Sequence, residues 1–280
     1  MSTLTIAQAI AWATSQLKPY SESAKLDSEV LLLHVIEKNR TYLFTWPEAE
    51  LTKTQQMLFN EHVARRVKGE PVAHITGQRE FWSLPLKVNN STLIPRPDTE
   101  TLVEHVLTLA MPNDAKVLDL GTGTGAIALA LASEFPTWQI TAVDASAEAV
   151  VLAQANQAQL GFDNVTILQS DWFSALAKQR FDLIVSNPPY IDEQDHHLSQ
   201  GDVRFEPLSA LVADDHGYAD IFHIITMAKQ HLNQGGYLLL EHGYEQAEKI
   251  QQFFAEMAYI NILTIKDMAG CDRVTLAMLP

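Results

Sequence analysis

Short apolar runs recur along most of the chain, at residues 116–120, 139–143, 165–168, 181–185 and 236–240, with stretches of helical periodicity between them. Predominantly apolar runs are what strands buried on both faces require. Their alternation with helices predicts an α/β fold built on a parallel, doubly wound sheet. Two further strand-like runs, 260–265 and 273–279, close the chain. The N-terminal part has a different rhythm. Ile6, Ile10, Ala13 and Leu17 recur at helical spacing, and SESAKLDSEVLLLHVIEKN sets Ser and Asp ahead of a dense apolar stripe. Thr52, with Gln55 three residues on, forms a capping-box pattern that opens a helix through Phe59, Val63 and Val67. Gly69 and Pro71 stop it. Between the two parts, HITGQREFWSLPLKVNNSTLIPRP is rich in β-branched and aromatic residues and punctuated by Gly77, Pro85 and Asn89-Asn90, which predicts a hairpin. The expected division is a small helical domain over residues 1–74, a β-hairpin linker over 75–92 and an α/β domain over 93–280. No internal repeat or low-complexity tract interrupts it.

Composition sharpens this picture in three ways. A chain of 280 residues with 47% hydrophobic and 19% charged residues is ordinary for a soluble enzyme, and no apolar segment approaches the ~20 residues that cross a bilayer. The first twenty residues carry no continuous signal-peptide run, and the single cysteine, Cys271, excludes an internal disulfide framework or a cysteine-rich zinc site. A cytoplasmic location is expected. The net charge of −15 is unevenly spread: residues 1–74 hold 8 basic against 8 acidic side chains, so the remainder, with 11 against 26, carries the whole excess. Such a surface repels phosphate backbones and speaks against DNA.

The chemistry-bearing residues cluster at strand ends. In KVLDLGTGTGAIALALA, Gly121, Thr122, Gly123, Thr124 and Gly125 stand where the first strand of the sheet turns into a helix, and glycines there let backbone approach a ligand closely. GTGTGA also satisfies the dinucleotide pattern GxGxxG/A. Asp144 ends the next strand, 23 positions after Gly121, where a carboxylate can accept hydrogen bonds from both ribose hydroxyls of an adenosine. The third strand ends in SDW, which sets Asp171 and Trp172 beside the same crevice, able to hold an adenine by polar contact and ring packing. Each feature alone has a packing or capping explanation. Three consecutive strand ends together describe an adenosine site.

The fourth strand, DLIVS, breaks off into Asn187, Pro188, Pro189 and Tyr190 at the switch point of such a sheet. An amide or aromatic-amine nitrogen has a delocalised lone pair and attacks poorly unless polarised and aimed. The Asn187 side-chain oxygen and the Pro188 carbonyl could accept both N–H bonds of a planar NH2 group. Proline brings no competing N–H, and the Tyr190 ring could stack on the flat group. Transfer would then proceed by orientation and electrostatics.

The glycine loop resembles that of class I S-adenosylmethionine-dependent methyltransferases, and NPPY resembles their (N/D)PP(Y/F) motif for planar amino nitrogens. The wider chain is similar to the HemK/PrmC family of protein-(glutamine-N5) methyltransferases. That similarity runs through TGQREFWSLPL, TLIPRPDTE, LDLGTGTG, VSNPPYI, VRFEPLSAL and DRV in family order, and with the helical module it covers nearly the whole chain. The resemblance implies a Rossmann-like, seven-stranded sheet whose last strand is antiparallel, and S-adenosyl-L-methionine as cofactor. It implies methylation of the glutamine of the Gly-Gly-Gln motif in peptide chain release factors. It also implies cofactor contacts at residues 121–125, Asp144, Trp172 and Asn187, with residues 187–190 gripping the glutamine. An acidic pocket including Asp119 and Asp144 would favour the cationic cofactor over its neutral product. Residues 1–74 would dock the protein substrate. The expected partners are release factors, with no direct nucleic acid and no membrane, and the chain is expected to act as a monomer.

Weaker signals are assigned as follows. His196 and His197, beside Asp192, Glu193 and Asp195, read as a solvated loop in which adjacent histidines point apart, and no metal is expected. Arg96 precedes Pro97, Asp98 and Thr99, which suit a helix start. Arg204 and Glu206 lie in the long connection after NPPY, as part of a lid or as a surface ion pair. Arg273 receives no role. No GxSxG elbow supports a hydrolase. Two rivals stand: methylation of an adenine amino group in nucleic acid, which NPPY permits but which needs a basic groove, and a non-enzymatic nucleotide-binding module, which leaves NPPY unexplained.

Overall fold

The structure, a computed structural model, describes residues 3–280, which form two compact units. The first comprises residues up to 78 together with 199–205. Its helices are α1 (Ile6–Leu17), α2 (Ala24–Ile36), α3 (Arg40–Thr45), α4 (Lys53–Val67) and α5 (Val72–Thr76). The α1 stripe buries Ile6, Ala9, Ala13 and Leu17 against Leu31, Leu32, Phe59 and Val63. At the start of α4 the capping box forms in both directions: the Gln55 backbone N–H donates to the Thr52 hydroxyl at 3.2 Å, and the Thr52 N–H to the Gln55 side chain at 2.9 Å. Arg66 near the end of α4 pairs with buried Asp27 of α2 at 2.8 Å and with Asp202 at 3.1 Å. These ion pairs hold residues 199–205 to the helices.

The second unit contains residues 79–198 and 206–280. Apart from Gln78, which counts with the first unit, it opens with a hairpin, β1 (Gln78–Phe81) and β2 (Leu84–Lys87), whose two-residue turn, Trp82-Ser83, has both φ angles in the left-handed region, as the right-handed twist of the strands demands. A short 3-10 turn, Pro97–Thr99, leads into α6 (Glu100–Val106). There follow β3 (Lys116–Leu120), α7 (Ala126–Glu134), β4 (Gln139–Asp144), α8 (Ala147–Leu160), β5 (Val165–Gln169) and β6 (Phe181–Ser186). After a long connection come α9 (Ala219–Ala228), β7 (Leu232–Glu241), α10 (Ala247–Glu256), β8 (Ile260–Lys266) and β9 (Asp272–Met278).

The seven-stranded sheet has the order β5-β4-β3-β6-β7-β9-β8. All pairings are parallel except those of β9, which is antiparallel to both its neighbours. Alternate residues of the central strands feed two separate cores. Val117, Leu183, Val185 and Leu239 face α6, α7 and α8, whereas Leu118, Leu120, Ile184, Leu238 and Leu240 face α9 and α10. Both faces being covered, the strands read as continuous apolar runs. The strand order reverses between β3 and β6, and the register pairs Leu120 with Ser186 and Ser186 with Leu240. Gly121, Asn187 and Glu241, each one residue further on, therefore form a row across the carboxyl ends of three adjacent strands. Among the described residues no helix is long and apolar enough to cross a membrane.

Candidate active site

That row opens on a cavity of about 310 Å³, large enough for a small-molecule ligand. Gly121, Thr122, Gly123, Thr124, Asp144, Asp171, Trp172, Asn187 and Pro189 all line it. The glycine loop is folded by its own backbone. The Thr122 N–H donates to the Val143 carbonyl at 2.9 Å, and Gly125 N–H to the Thr122 carbonyl at 2.8 Å. Gly123, at φ +56°, donates its N–H to Asp144 Oδ2 at 2.9 Å, while Ser146 N–H reaches Oδ1 at the same distance. Each Asp144 oxygen thus keeps a lone pair for the cavity. Gly125 does not line the cavity. A Cβ there would lie 3.0 Å from Leu129 Cδ1 and 3.4 Å from the Ala153 methyl, so this glycine serves the packing of α7 on α8.

Asp119 is a correction. The sequence places it in the acidic pocket, but its carboxylate is buried behind the loop, where Oδ2 accepts the Thr122 hydroxyl at 2.6 Å and the Ala128 N–H at 3.2 Å. It shapes the loop and does not line the cavity. Burial pushes its carboxyl up to about 7 against those two hydrogen bonds. On the far side of the cavity Trp172 sits at φ +45°, held by a turn in which the Ser170 hydroxyl donates to the Trp172 carbonyl at 2.7 Å. Its ring lies 3.7 Å from where a Gly121 Cβ would stand, so ring and glycine form one cradle wall.

The NPPY turn is clamped by backbone. Tyr190 and Ile191 N–H both donate to the Leu211 carbonyl, at 3.2 and 2.9 Å, and Gln246 Nε2 donates to the Tyr190 carbonyl at 3.1 Å. Gly217, at φ +85°, passes so close that a Cβ would overlap that carbonyl oxygen. Pro188 is buried beneath the turn and Tyr190 half-buried beside it, neither lining the cavity. Asn187 Nδ2 donates to the Thr99 hydroxyl at 3.2 Å, and the Tyr190 hydroxyl reaches Glu241 Oε1 at 3.4 Å.

Thr99, Ser209, Ala210 and Asp220 also line the cavity and escaped the sequence reading. Thr99 looks like a helix start, and nothing in PLSAL marks a ligand contact. A carboxylate ending the strand beside NPPY was the available signal for Glu241. The weaker signals resolve differently from their expectations. Glu206 pairs with Arg96. Its side chain is buried, with Oε2 on Arg96 at 2.6 Å and Oε1 accepting the Ile94 N–H at 2.9 Å. Arg204 belongs to the helical unit, where it lies against Gly69. His196 and His197 do not point apart: they begin a 3-10 turn, their rings are 4.0 Å between centroids, and both approach Asp195. Arg273 is held by Asp267 at 2.9 Å.

The comparisons extend these features to known proteins. Residues 8–77 match the family described as PrmC N-terminal domain, and residues 97–203 the one described as Methyltransferase small domain. The chain is 59% identical to the release factor glutamine methyltransferase of Shewanella oneidensis, over 97% of this chain and 95% of the relative. To the Escherichia coli protein of that name it is 56% identical, over 94% and 95%, and to that of Vibrio cholerae 55%, over 98% and 96%. Among solved structures, a methyltransferase from Pyrococcus furiosus aligns with a TM-score of 0.53 at 19% identity, over 78% of this chain and 98% of its own. The hMettl16 catalytic domain, solved with an RNA hairpin, aligns with a TM-score of 0.60 at 13% identity, over 97% and 91%. These last two likenesses concern the fold alone.

Proposed function

Because this chain belongs to the release factor glutamine methyltransferase family, we propose that it methylates the side-chain amide nitrogen of the glutamine in the Gly-Gly-Gln motif of peptide chain release factors, with S-adenosyl-L-methionine as donor. The observation that carries this is the meeting of two loops: Asn187 and Pro189 line the same cavity as Gly121, Gly123 and Asp144.

The side chains present fit the donor. The loop from Gly121 to Thr124 offers close backbone, Asp144 keeps two acceptor lone pairs for ribose hydroxyls, and Asp171 with the Trp172 ring flanks the space for an adenine. When bound, the donor supplies a methyl group made electrophilic by its sulfonium. The protein's own part is orientation. Asn187 Oδ1 and the Pro188 carbonyl accept the two N–H bonds of the glutamine amide, and the Tyr190 ring packs on its flat face. The amide nitrogen would gain one methyl and give up one proton to water, leaving a neutral secondary amide. Residues 1–74 dock the protein substrate, consistent with their balanced charge beside an acidic remainder. Such a substrate belongs in the cytoplasm.

Mass spectrometry of the tryptic Gly-Gly-Gln peptide tests this after release factor is incubated with enzyme and donor. One methyl on the glutamine, dependent on both, is expected. An unmodified peptide under conditions where adenine in RNA or DNA is methylated would instead support the nucleic-acid acceptor.

A further inference from the structure

Two stretches that methyl transfer leaves without a task, IPRPDTE and VRFEPLSAL, meet in space although Arg96 and Glu206 are 110 positions apart. The Glu206 side chain is wholly buried, and both its oxygens are engaged. Oε2 accepts from Arg96 Nη2 at 2.6 Å and Oε1 from the Ile94 backbone N–H at 2.9 Å. A buried ion pair costs desolvation that its attraction only roughly offsets, so stability alone is a weak reason to place one under a loop. What the pair holds in place is the better reason.

It holds one foot of an arch at the cavity rim. After Glu206, Pro207 at φ −68° opens a 3-10 turn, Leu208–Ala210. The Ala210 N–H closes it on the Pro207 carbonyl at 2.9 Å, and Leu211 and Val212 N–H both donate to the Leu208 carbonyl, at 3.0 and 2.9 Å. Glu206 and Leu211 are buried, whereas Leu208 and Ser209 between them are exposed. The arch thus has two buried feet and an open crown. Ser209 and Ala210 of that crown line the cavity, and so do Leu93 and Pro95, which flank Ile94. At the second foot the Leu211 carbonyl takes the Tyr190 and Ile191 N–H groups, a backbone contact that asks nothing of the side chain. Only the first foot depends on a particular residue.

We propose that Glu206 is a positioning residue: by gripping Arg96 and the Ile94 N–H it keeps the 207–211 arch as a wall of the donor cavity, and so sets how fast the donor leaves. This rests on the donor reading of that cavity. A carboxylate suits the task because it can only accept, and both partners donate. Glutamine offers one oxygen and one NH2, so one of the two donors would then meet another donor. With that foot loose, Ser209 and Ala210 no longer close the wall while the foot on the NPPY turn stays fixed. The loss therefore falls on donor release, not on the chemical step.

The test compares wild type, Glu206→Gln, Arg96→Met and the double variant by stopped-flow release of S-adenosylhomocysteine, hydrogen exchange of the free protein, and kcat on intact release factor at saturating donor. Each single substitution should speed release about 10- to 100-fold, the scale of a lost charged hydrogen bond, with kcat within about threefold. Because both act through one contact, the double variant should release no more than about threefold faster than the faster single. Exchange should quicken at Ile94 and over residues 208–211 and stay unchanged in β3 and β4, whereas a pair that merely stabilises the fold would quicken exchange in those strands too. Release within about threefold of wild type in both singles, multiplied effects in the double, or exchange raised uniformly overturns the assignment. If Glu206→Gln does not fold, Arg96→Met, at a side chain 31% exposed, decides by release and exchange. A wild type that does not bind S-adenosylhomocysteine refutes the donor reading, and the exchange pattern still judges whether Glu206 holds the arch.

Discussion

Replacing Asp144 with alanine removes the one carboxylate that the glycine loop and the cavity share. Its oxygens each take one backbone N–H at 2.9 Å, from Gly123 and from Ser146, and keep one lone pair apiece for a ligand. A hydrogen bond to a charged group contributes about 1.5–3 kcal/mol. Two ribose hydroxyls on one carboxylate are therefore worth about 3–6 kcal/mol, which at about 1.4 kcal/mol per decade weakens binding between about 10² and 10⁴-fold. Calorimetry with both S-adenosylmethionine and S-adenosylhomocysteine separates two roles. If Asp144 holds ribose, both ligands lose affinity equally. If it acts through the sulfonium charge, only the cation does. Equal losses are expected, with kcat at saturating donor retained, because nothing in the NPPY turn touches Asp144. Kd values within threefold of wild type for both ligands would refute the adenosine reading of this strand end.

Asn187→Ala should abolish detectable methyl transfer while cofactor Kd, measured by calorimetry, changes far less, and a collapsed cofactor affinity would contradict an orienting role. Asp119, with its carboxyl raised to about 7 from about 3.9 in the unfolded chain, binds its proton more tightly when folded, so its effect is a stability lost as pH rises from about 4 to about 7, on the order of 4 kcal/mol. Thermal unfolding at pH 5 and pH 8 should show a smaller drop in Asp119→Asn than in wild type, and equal drops would refute it. Gly217→Ala puts a Cβ into the Tyr190 carbonyl and a side chain at φ +85°, so it should lower kcat with donor binding intact, and an unaffected kcat would show that the turn tolerates the shift.

Much of the fold was legible because of where the strands lie. Central strands covered on both faces are apolar at most positions, and the runs at 116–120 and 181–185, interrupted only by Asp119 and Asp182 within them, fall within β3 and β6. The helical stripe of α1 was legible for the complementary reason, one face buried at helical spacing. What escaped depends on partners distant in sequence. Residues 199–205 join the helical unit through Asp202 and Arg66, 136 positions apart, and Glu206 is buried because Arg96, 110 positions earlier, meets it. No local pattern encodes either pairing. The hairpin turn was equally silent, since Trp82 and Ser83 take left-handed angles without glycine or asparagine. The glycine loop, Asp144 and NPPY stood out because each needs an unusual residue at a strand end. Thr99 and Glu241 did not, because their residue types are ordinary there: only the sheet register sets Glu241 beside Asn187, and only the fold brings Thr99 to it.

That register explains why three strand ends suffice for chemistry on an amide. An amide nitrogen is a poor base before it reacts and a strong acid after it gains a methyl, so the difficulty lies in aiming its lone pair. Aim requires acceptors of fixed polarity, and a neutral side chain such as asparagine has no intrinsic reason to prefer one face. Asn187 Nδ2 finds its partner in the Thr99 hydroxyl at 3.2 Å. Burial and the neighbouring Glu241 push the Tyr190 phenol well above its ordinary range, so it remains a donor at any working pH, and its hydroxyl reaches Glu241 Oε1 at 3.4 Å. Replacing Glu241 by an apolar residue would remove a buried charge and with it the acceptor that the Tyr190 hydroxyl reaches at the end of the neighbouring strand.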